Sequence, residues 1–280
     1  MNFHGNRLVN RLVGRVVFQN PRVHCALLRL RARDEDVDIE LNGTPLRINK
    51  RQELSLWRAY KNTRDTWWSR ATDRIVNLSL ILSPTDTFLD IGANVGYYAA
   101  SIARLGDAYP SMRIYAFEAH PGTAQRLRQS VRDLRVTVFQ VALSNRQGEL
   151  EFTEGTSSFT FTVSGTRSDF QRPGATRVIQ TRRLDSMGII GDSIVMKMDV
   201  RGHDREVIEG ASALFDAQRV KAVLSDCGDD PAILDYLVSK GFRLFDAHTL
   251  APGPRQSVLA IRSSYLESSL PRLAQAFGSM

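Results

Sequence analysis

Two cysteines, Cys25 and Cys227, are all that the 280 residues contain. A disulfide framework is therefore excluded, and both read as reduced thiols of a reducing compartment. Long apolar runs are missing too. No stretch approaches the roughly 20 consecutive apolar residues of a membrane-spanning helix. Near the N-terminus arginines break up the apolar runs, which argues against a secretory leader. The expectation is a cytoplasmic protein. Acid is absent from residues 1–33, where Arg7, Arg11, Arg15, Arg22, Arg29, Arg31 and Arg33 sit, while the rest of the chain balances 30 basic residues with 30 acidic ones. The net charge of +7 thus belongs to the N-terminal segment. A main domain without net charge argues against a nucleic-acid groove. What is present is 42% hydrophobic and 24% charged, enough for a chain of this length to bury a core without staples.

Residues 6–18 read as a helix, with Arg7, Arg11 and Arg15 on one stripe and Leu8, Leu12 and Val16 on another. Such a helix packs on the domain with its arginines in water. Its alternatives are an organelle-targeting segment and peripheral contact with the inner membrane surface. Alternation over 37–48 about Asn42-Gly43 predicts a hairpin. Helices are expected over 53–62 and 65–82, the second ended by Ser83-Pro84. Trp57, Trp67 and Trp68 read as core residues rather than a ligand platform. From residue 85 the pattern becomes strand, helix, strand, helix. Strands are expected at 87–91, 113–118, 136–142, 193–199, 220–226, 242–246 and 256–261, with helices at 96–105, 121–133, 203–216 and 230–240. This implies a doubly wound α/β domain with a mostly parallel sheet, its last two strands pairing antiparallel. An insert at 149–184 reads as a β excursion beside the site. The divisions are an N-terminal extension (1–82), the main domain (83–265) and a tail (266–280).

The strongest chemical signal is Phe88-Leu89-Asp90-Ile91-Gly92-Ala93-Asn94-Val95-Gly96, an apolar strand running into a glycine turn and then a helix at Tyr97. Ligands of open α/β sheets bind at such strand ends, where glycine lets backbone approach them. The next strand ends in Phe117-Glu118, and an acid there can accept hydrogen bonds from ribose hydroxyls. A nicotinamide site would want a third glycine for pyrophosphate. Asn94 stands in the turn instead, and Asp90 precedes it, so a cationic methionine moiety suits the place better. A nicotinamide oxidoreductase remains the alternative from another enzyme class.

Asp90–Gly96, Phe117-Glu118-x-x-Pro121, Val141-Ala142-Leu143-Ser144, Arg183-Leu184-Asp185 and Val195-Met196-Lys197-Met198-Asp199-Val200-x-Gly202, in that order, resemble the FkbM family of methyltransferases. The resemblance implies a class I methyltransferase (Rossmann-like) fold of seven strands. It also implies S-adenosylmethionine as donor and a hydroxyl of a sugar, glycolipid or polyketide-like acceptor. By position, Asp90, Gly92, Ala93, Asn94, Gly96 and Tyr97 would hold the amino-acid part of the cofactor. Glu118, with Ala119 beside it, would hold the ribose. Val141 and Ala142 would flank the adenine, and Asp199 would lie near the methyl group. Two places depart from the family pattern. Arg201 stands where the family usually has glutamate, and Ser225-Asp226-Cys227 replaces a strand ending in glutamate. These departures leave room for a changed acceptor or a non-catalytic relative acting at a membrane surface or in an interaction.

Methyl transfer to oxygen needs alignment and a route for the proton. His203, titrating near neutrality, is the first candidate base; its other reading is a residue of the helix cap. Asp199 and Asp226, ending adjacent strands, can hold Mg²⁺ through oxygen ligands; their alternatives are to orient the acceptor or to cap helices. Transfer without metal is the preferred reading. Lys197 either pairs with a carboxylate or touches the acceptor. Asp185 is expected at a turn or cap, His120 in a loop, and Ser157, Ser158 and Thr160 of the insert in solvated strands or an acceptor pocket.

Overall fold

The computed structural model describes residues 33–61, 66–106, 109–153, 162–163 and 176–266. The expected helix at 6–18, the insert hydroxyls Ser157, Ser158 and Thr160, and nearly all of the tail lie outside the described residues, as do the side chains of Trp67 and Trp68. Among the described residues no helix is long and apolar enough to cross a membrane.

Strands β1 (Asp36–Leu41) and β2 (Thr44–Asn49) form the expected hairpin. Asn42 and Gly43 both take positive φ, 48° and 73°, as a two-residue turn matched to strand twist requires. Helices α1 (Leu54–Lys61) and α2 (Thr66–Ile81) follow. Ala71 and Leu78 of α2 are buried and Ile75 partly so, the spacing of one helical face. Trp57 packs on the core and stacks on Tyr60 at 5.6 Å.

The main unit runs β3 (Thr87–Ile91), α3 (Tyr97–Ala103), β4 (Arg113–Phe117), α4 (Pro121–Ser130) and β5 (Val136–Phe139). An inserted group comes next: β6 (Ala142–Leu143), β7 (Gly148–Thr153), β8 (Thr162–Val163) and β9 (Thr176–Arg182). A 3₁₀ turn at Leu184–Ser186 leads to β10 (Ile194–Met198), α5 (Asp204–Gly210) and α6 (Ser212–Asp216). The remainder is β11 (Val220–Ser225), α7 (Pro231–Ser239), β12 (Phe242–Asp246) and β13 (Val258–Arg262).

Seven strands form one sheet in the order β12-β13-β11-β10-β3-β4-β5. Six run in the same direction, and β13 lies antiparallel between β11 and β12. This is the class I methyltransferase arrangement. The order reverses between β3 and β10, which opens a crevice at their carboxyl ends. β3, β10, β11 and β13 are buried along their whole length, as strands covered on both faces must be. Successive side chains alternate between two cores: Phe88 and Val195 pack on one side, Leu89 and Met196 on the other. Ile39, Leu46, Ile48, Leu56 and Leu78 belong to the first of these cores. Residues 36–82 therefore cover one face of the sheet rather than standing apart from it.

Two elements differ from expectation. The strand expected at 136–142 is two strands. β5 ends at Phe139, and Ala142–Leu143 leaves the main sheet to pair with β9 in a four-stranded sheet ordered β6-β9-β7-β8. The helix expected at 203–216 breaks at Ala211. Its residue Gly210 is pressed so close to the Ser144 carbonyl that a Cβ there would collide with it, and glycine at that point weakens the helix.

Candidate active site

The carboxyl ends of the parallel strands are laced together by backbone. Gly92 and Ala93 both donate to the Phe117 carbonyl, at 3.0 and 2.9 Å. Asp199 donates to Ile91 (3.1 Å) and Glu118 to Phe139 (3.0 Å). Gly92, at φ 70°, lies against β10 so closely that a Cβ would collide with the Asp199 carbonyl. Gly96, at φ 91°, packs against the Leu127 side chain of α4, which would have to shift to admit a Cβ. The turn is thus held from both sides and offers bare backbone to the crevice.

Asp90 and Lys197 brace this turn from beneath. Both are buried, with Nζ 2.9 Å from Asp90 Oδ1 and 2.8 Å from the Gly92 carbonyl. The other oxygen of Asp90 accepts from Ala99 N at 2.9 Å, tying β3 to the first turn of α3. Burial pulls the Lys197 pKa down, but Asp90 and Asp199 beside it outweigh burial and hold it above the ordinary lysine value. The lysine is a fixed ammonium, and it takes the carboxylate-pairing role open to it from the sequence. Asp90 does not line the crevice; its charge is spent on Lys197 and α3.

Glu118 reaches the crevice from the end of β4. One oxygen accepts from Asn94 N and the other from His120 N, each at 2.9 Å. Asn94 sits at φ 53°, so the strained turn and the acid fix each other. Burial pushes the carboxyl up to about 7 against the pull of those two N–H groups. Each carboxylate oxygen retains a second acceptor position. His120, expected in a loop, caps α4: its Nδ1 accepts from Thr123 N at 3.2 Å, with Pro121 as the first helical residue.

The crevice holds about 1020 Å³ of empty space, its open mouth included. Its two ends differ. Toward β10 it is lined by Tyr98, Lys197, Asp199, Arg201 and His203. Asp199 Oδ1 lies 3.4 Å from Arg201 Nε. Arg201 is at φ 51° and is followed by Gly202 at φ 84°, a sharp turn before α5. Tyr98 is hydrogen-bonded to Arg74 of α2, and burial raises its phenol to about 12, so it keeps its proton. His203 is buried, with Nε2 3.1 Å from Ser144 Oγ and Nδ1 3.3 Å from Glu206 Oε2. Burial, helped by the positive charge of Arg146, lowers its pKa against the pull of Glu206; the ring is neutral at neutral pH and can accept a proton. Toward β5 the lining is apolar: Ala119, Val141, Ala142 and Leu143, with Phe152 and Ile179 from the inserted sheet.

The structure thus gathers Gly92, Ala93, Asn94, Tyr97, Glu118, Ala119, Val141, Ala142, Asp199 and His203 around one crevice. Asp90 and Gly96 stand behind it. Asp226 is turned elsewhere: it pairs with Arg74 at 2.6 Å, and Ser257 Oγ donates to it at 2.6 Å. With Asp199 facing Arg201 and Asp226 facing Arg74, neither carboxylate is left to the other, and no group of three metal-ligating side chains occurs among the described residues. Asp185 is a cap, its two oxygens each 3.3 Å from the backbone N–H of Ala213 or Leu214 in α6. Sequence reasoning missed Leu56, Tyr98, Phe152 and Ile179 as lining residues. The alternation Leu150-Glu151-Phe152-Thr153 marks Phe152 as inward-facing, but Val178 and Ile179 are adjacent and both apolar, so pattern alone does not pick Ile179; nothing local marks Leu56 or Tyr98.

Comparison with known proteins agrees with this geometry. The profile of the methyltransferase FkbM domain matches residues 90–244. Among curated relatives, 2-O-methyltransferase NoeI of Sinorhizobium fredii is 30% identical over 150 residues, 48% of this chain and 60% of that protein. Hexuronic acid methyltransferase AglP of Haloferax volcanii is 25% identical over 205 residues, 72% of this chain and 79% of its own. The matched profile spans all four parallel strand ends that build the crevice, and the chain belongs to the FkbM methyltransferase family.

Proposed function

We propose that this protein transfers the methyl group of S-adenosylmethionine to a hydroxyl oxygen of a sugar or glycolipid acceptor. The observation that carries this reading is the joining of a bare glycine turn to an acid, Glu118, whose spare acceptor positions face the same crevice. The residues fit the donor. Backbone without Cβ at Gly92 suits its amino-acid part, Glu118 its ribose hydroxyls, and the apolar end its base. The sugar acceptor follows the printed activities of the two relatives, a 2-O-methyltransferase and a hexuronic acid methyltransferase.

When bound, S-adenosylmethionine supplies an electrophilic methyl on a positive sulfonium, and transfer leaves the acceptor ether, a proton and S-adenosylhomocysteine. Asp199, exposed to the crevice at the end of β10, orients the acceptor hydroxyl. His203, neutral and at the same end, takes the proton; Glu206 beside Nδ1 steadies the imidazolium that results. A base of this kind contributes about 10²–10⁴-fold. No metal is assigned, because arginines occupy Asp199 and Asp226. Asp226 acts as a brace for Arg74.

Isothermal titration with S-adenosylhomocysteine, followed by labelled-methyl transfer over a panel of cell-envelope glycans in buffer containing EDTA, tests the proposal. Binding lost in Glu118→Ala together with transfer to a glycan hydroxyl supports it. Absence of binding, or equal binding by the variant, defeats the cofactor assignment.

A further inference from the structure

Arg74 reaches the charged end of the crevice from α2. Its Nη2 lies 2.6 Å from Asp226 Oδ1, just past β11, and also donates to Ser257 Oγ, just before β13. The same guanidinium is hydrogen-bonded to the hydroxyl of Tyr98, in the first turn of α3. One side chain thus ties α2, α3 and the carboxyl end of β11 together. Arg74 and Ser257 lie outside residues 90–244, the span of the family match. Tyr98 is fixed at two further points. Ala99 N, the next residue, donates to Asp90 at 2.9 Å. The Tyr98 ring lies 5.1 Å from Lys197 Nζ, which is itself held by Asp90.

A guanidinium has only N–H groups to offer, so in this contact the phenol oxygen accepts and the phenolic proton points elsewhere. Burial raises the phenol to about 12, so the proton stays, and no acceptor for it occurs among the described residues. Tyr98 lines the same end of the crevice as Asp199, whose carboxylate accepts. A donor and an acceptor facing a common space match two neighbouring oxygens of a polyol. The reacting hydroxyl gives its hydrogen bond to Asp199, and the oxygen beside it receives one from Tyr98. The reverse pairing works against the reaction, because a hydrogen bond donated to the attacking oxygen ties up a lone pair needed at the methyl carbon. We propose that Tyr98 positions the acceptor by donating to a second oxygen next to the reacting hydroxyl, and that Arg74 is the positioning residue that aims it. Tyr98 has this role only if methyl transfer to a hydroxyl is the reaction, as proposed above. The acceptor is then a compound with neighbouring oxygens rather than an isolated hydroxyl, and α2 takes part in its selection.

The test is labelled-methyl transfer by the full chain to the glycan panel, with S-adenosylhomocysteine affinity measured alongside. Tyr98→Phe removes one oxygen and leaves the ring in place. In it kcat/KM for the labelled glycan falls by about three- to tenfold, the size of one hydrogen bond, while S-adenosylhomocysteine affinity keeps its wild-type value, a split that a merely structural role would not produce. With an analogue of that glycan deoxygenated beside the reacting hydroxyl, the difference between wild type and Tyr98→Phe disappears. Arg74→Met lowers transfer through the same contact, so adding it to Tyr98→Phe costs little more. Arg74→Lys, which keeps the charge but loses the planar fork, carries this comparison should Arg74→Met fail to fold. Unchanged transfer in Tyr98→Phe overturns the role of Tyr98. So does a fall in S-adenosylhomocysteine affinity that matches the fall in transfer, which would put the hydroxyl on the donor. Losses that multiply in the double variant overturn the role of Arg74. A wild type that binds S-adenosylhomocysteine yet labels no glycan defeats the transfer reading, and this inference with it.

Discussion

The two ends of the crevice are built by opposite means. At the β3–β10 end the charges are fixed before any ligand arrives. Lys197 is locked to Asp90 and to the Gly92 carbonyl, Asp199 to Arg201, and Tyr98 to Arg74. Asp90 and Lys197 come from the adjacent parallel strands β3 and β10, so their meeting follows from the register of one sheet, while Tyr98 comes from α3, Arg201 from the loop after β10 and Arg74 from α2. At the β5 end the wall is apolar, and Phe152 and Ile179 of strands that leave that sheet complete it. One end is preorganised electrostatics, which helps where charge moves in a reaction. The other is an apolar surface, which holds a ligand through burial rather than through fixed charge. A methyl-transfer enzyme needs the first where the reaction moves charge and the second where only apolar surface is to be covered.

The contrast breaks most severely at the buried ion pair. Asp90→Ala leaves the Lys197 ammonium buried without its carboxylate, at a cost of about 3–5 kcal/mol. The melting temperature measured by calorimetry should drop by roughly 10 °C. Asp90→Leu combined with Lys197→Met should recover a large part of that loss. If the single variant melts like the wild type, the bracing of the turn is wrong. Next in size is Gly92→Ala. The added Cβ meets the Asp199 carbonyl at a left-handed φ, so the turn must move, and S-adenosylhomocysteine affinity should weaken by more than about tenfold.

Acidity sharpens the comparison in solution. The Glu118 carboxyl is raised to about 7 by burial, and only its ionised form can accept from both ribose hydroxyls. Affinity for S-adenosylhomocysteine should therefore fall as pH drops below about 7, approaching tenfold per unit, and level off above it. Binding at pH 6.5 should release a proton, seen as a dependence of the calorimetric heat on buffer. Glu118→Gln should bind more weakly at high pH and lose the dependence; a pH profile that survives this change belongs to another group. The smallest effect is expected at Asp226→Asn. Its carboxylate is part-exposed and turned to Arg74, so stability should change by no more than about 1 kcal/mol, with S-adenosylhomocysteine affinity within about twofold. A collapse of methyl transfer in this variant would return Asp226 to the chemistry.

The same divide governs what could be read from the sequence. β3, β4, β10, β11 and β12 are legible because each is a short apolar run bounded by turn residues, and the 42–43 hairpin because Asn-Gly accepts two positive φ angles. The turn at 90–96 and Glu118 are local in sequence, so their meeting in the crevice follows from strand order alone. The departure of β6 from the main sheet was not legible: residues 136–142 form an unbroken β-rich run, and only pairing with β9, more than 30 residues on, splits it. Asp90 was read as a ligand group because its position along the strand is right; that its side chain points under the turn toward Lys197 depends on which face of β3 is covered by α3. Leu56 and Arg74 were out of reach for the same reason. They enter the site through packing of 36–82 on the sheet, which no spacing encodes.

The placement of β13 has a consequence for how the chain acquires its structure during synthesis. β12 leaves the ribosome first, yet its strand partner among the described residues is β13, which is inserted between it and β11. Until Val258–Arg262 has emerged, β12 has no neighbour to bond, and β11 presents an open edge. The sheet therefore closes from the inside outward in space but out of order in time, and a nascent chain that has emerged only to a point between residues 246 and 258 would hold the crevice strands beside an unsealed flank, the state in which it is most exposed to pairing with the wrong strand.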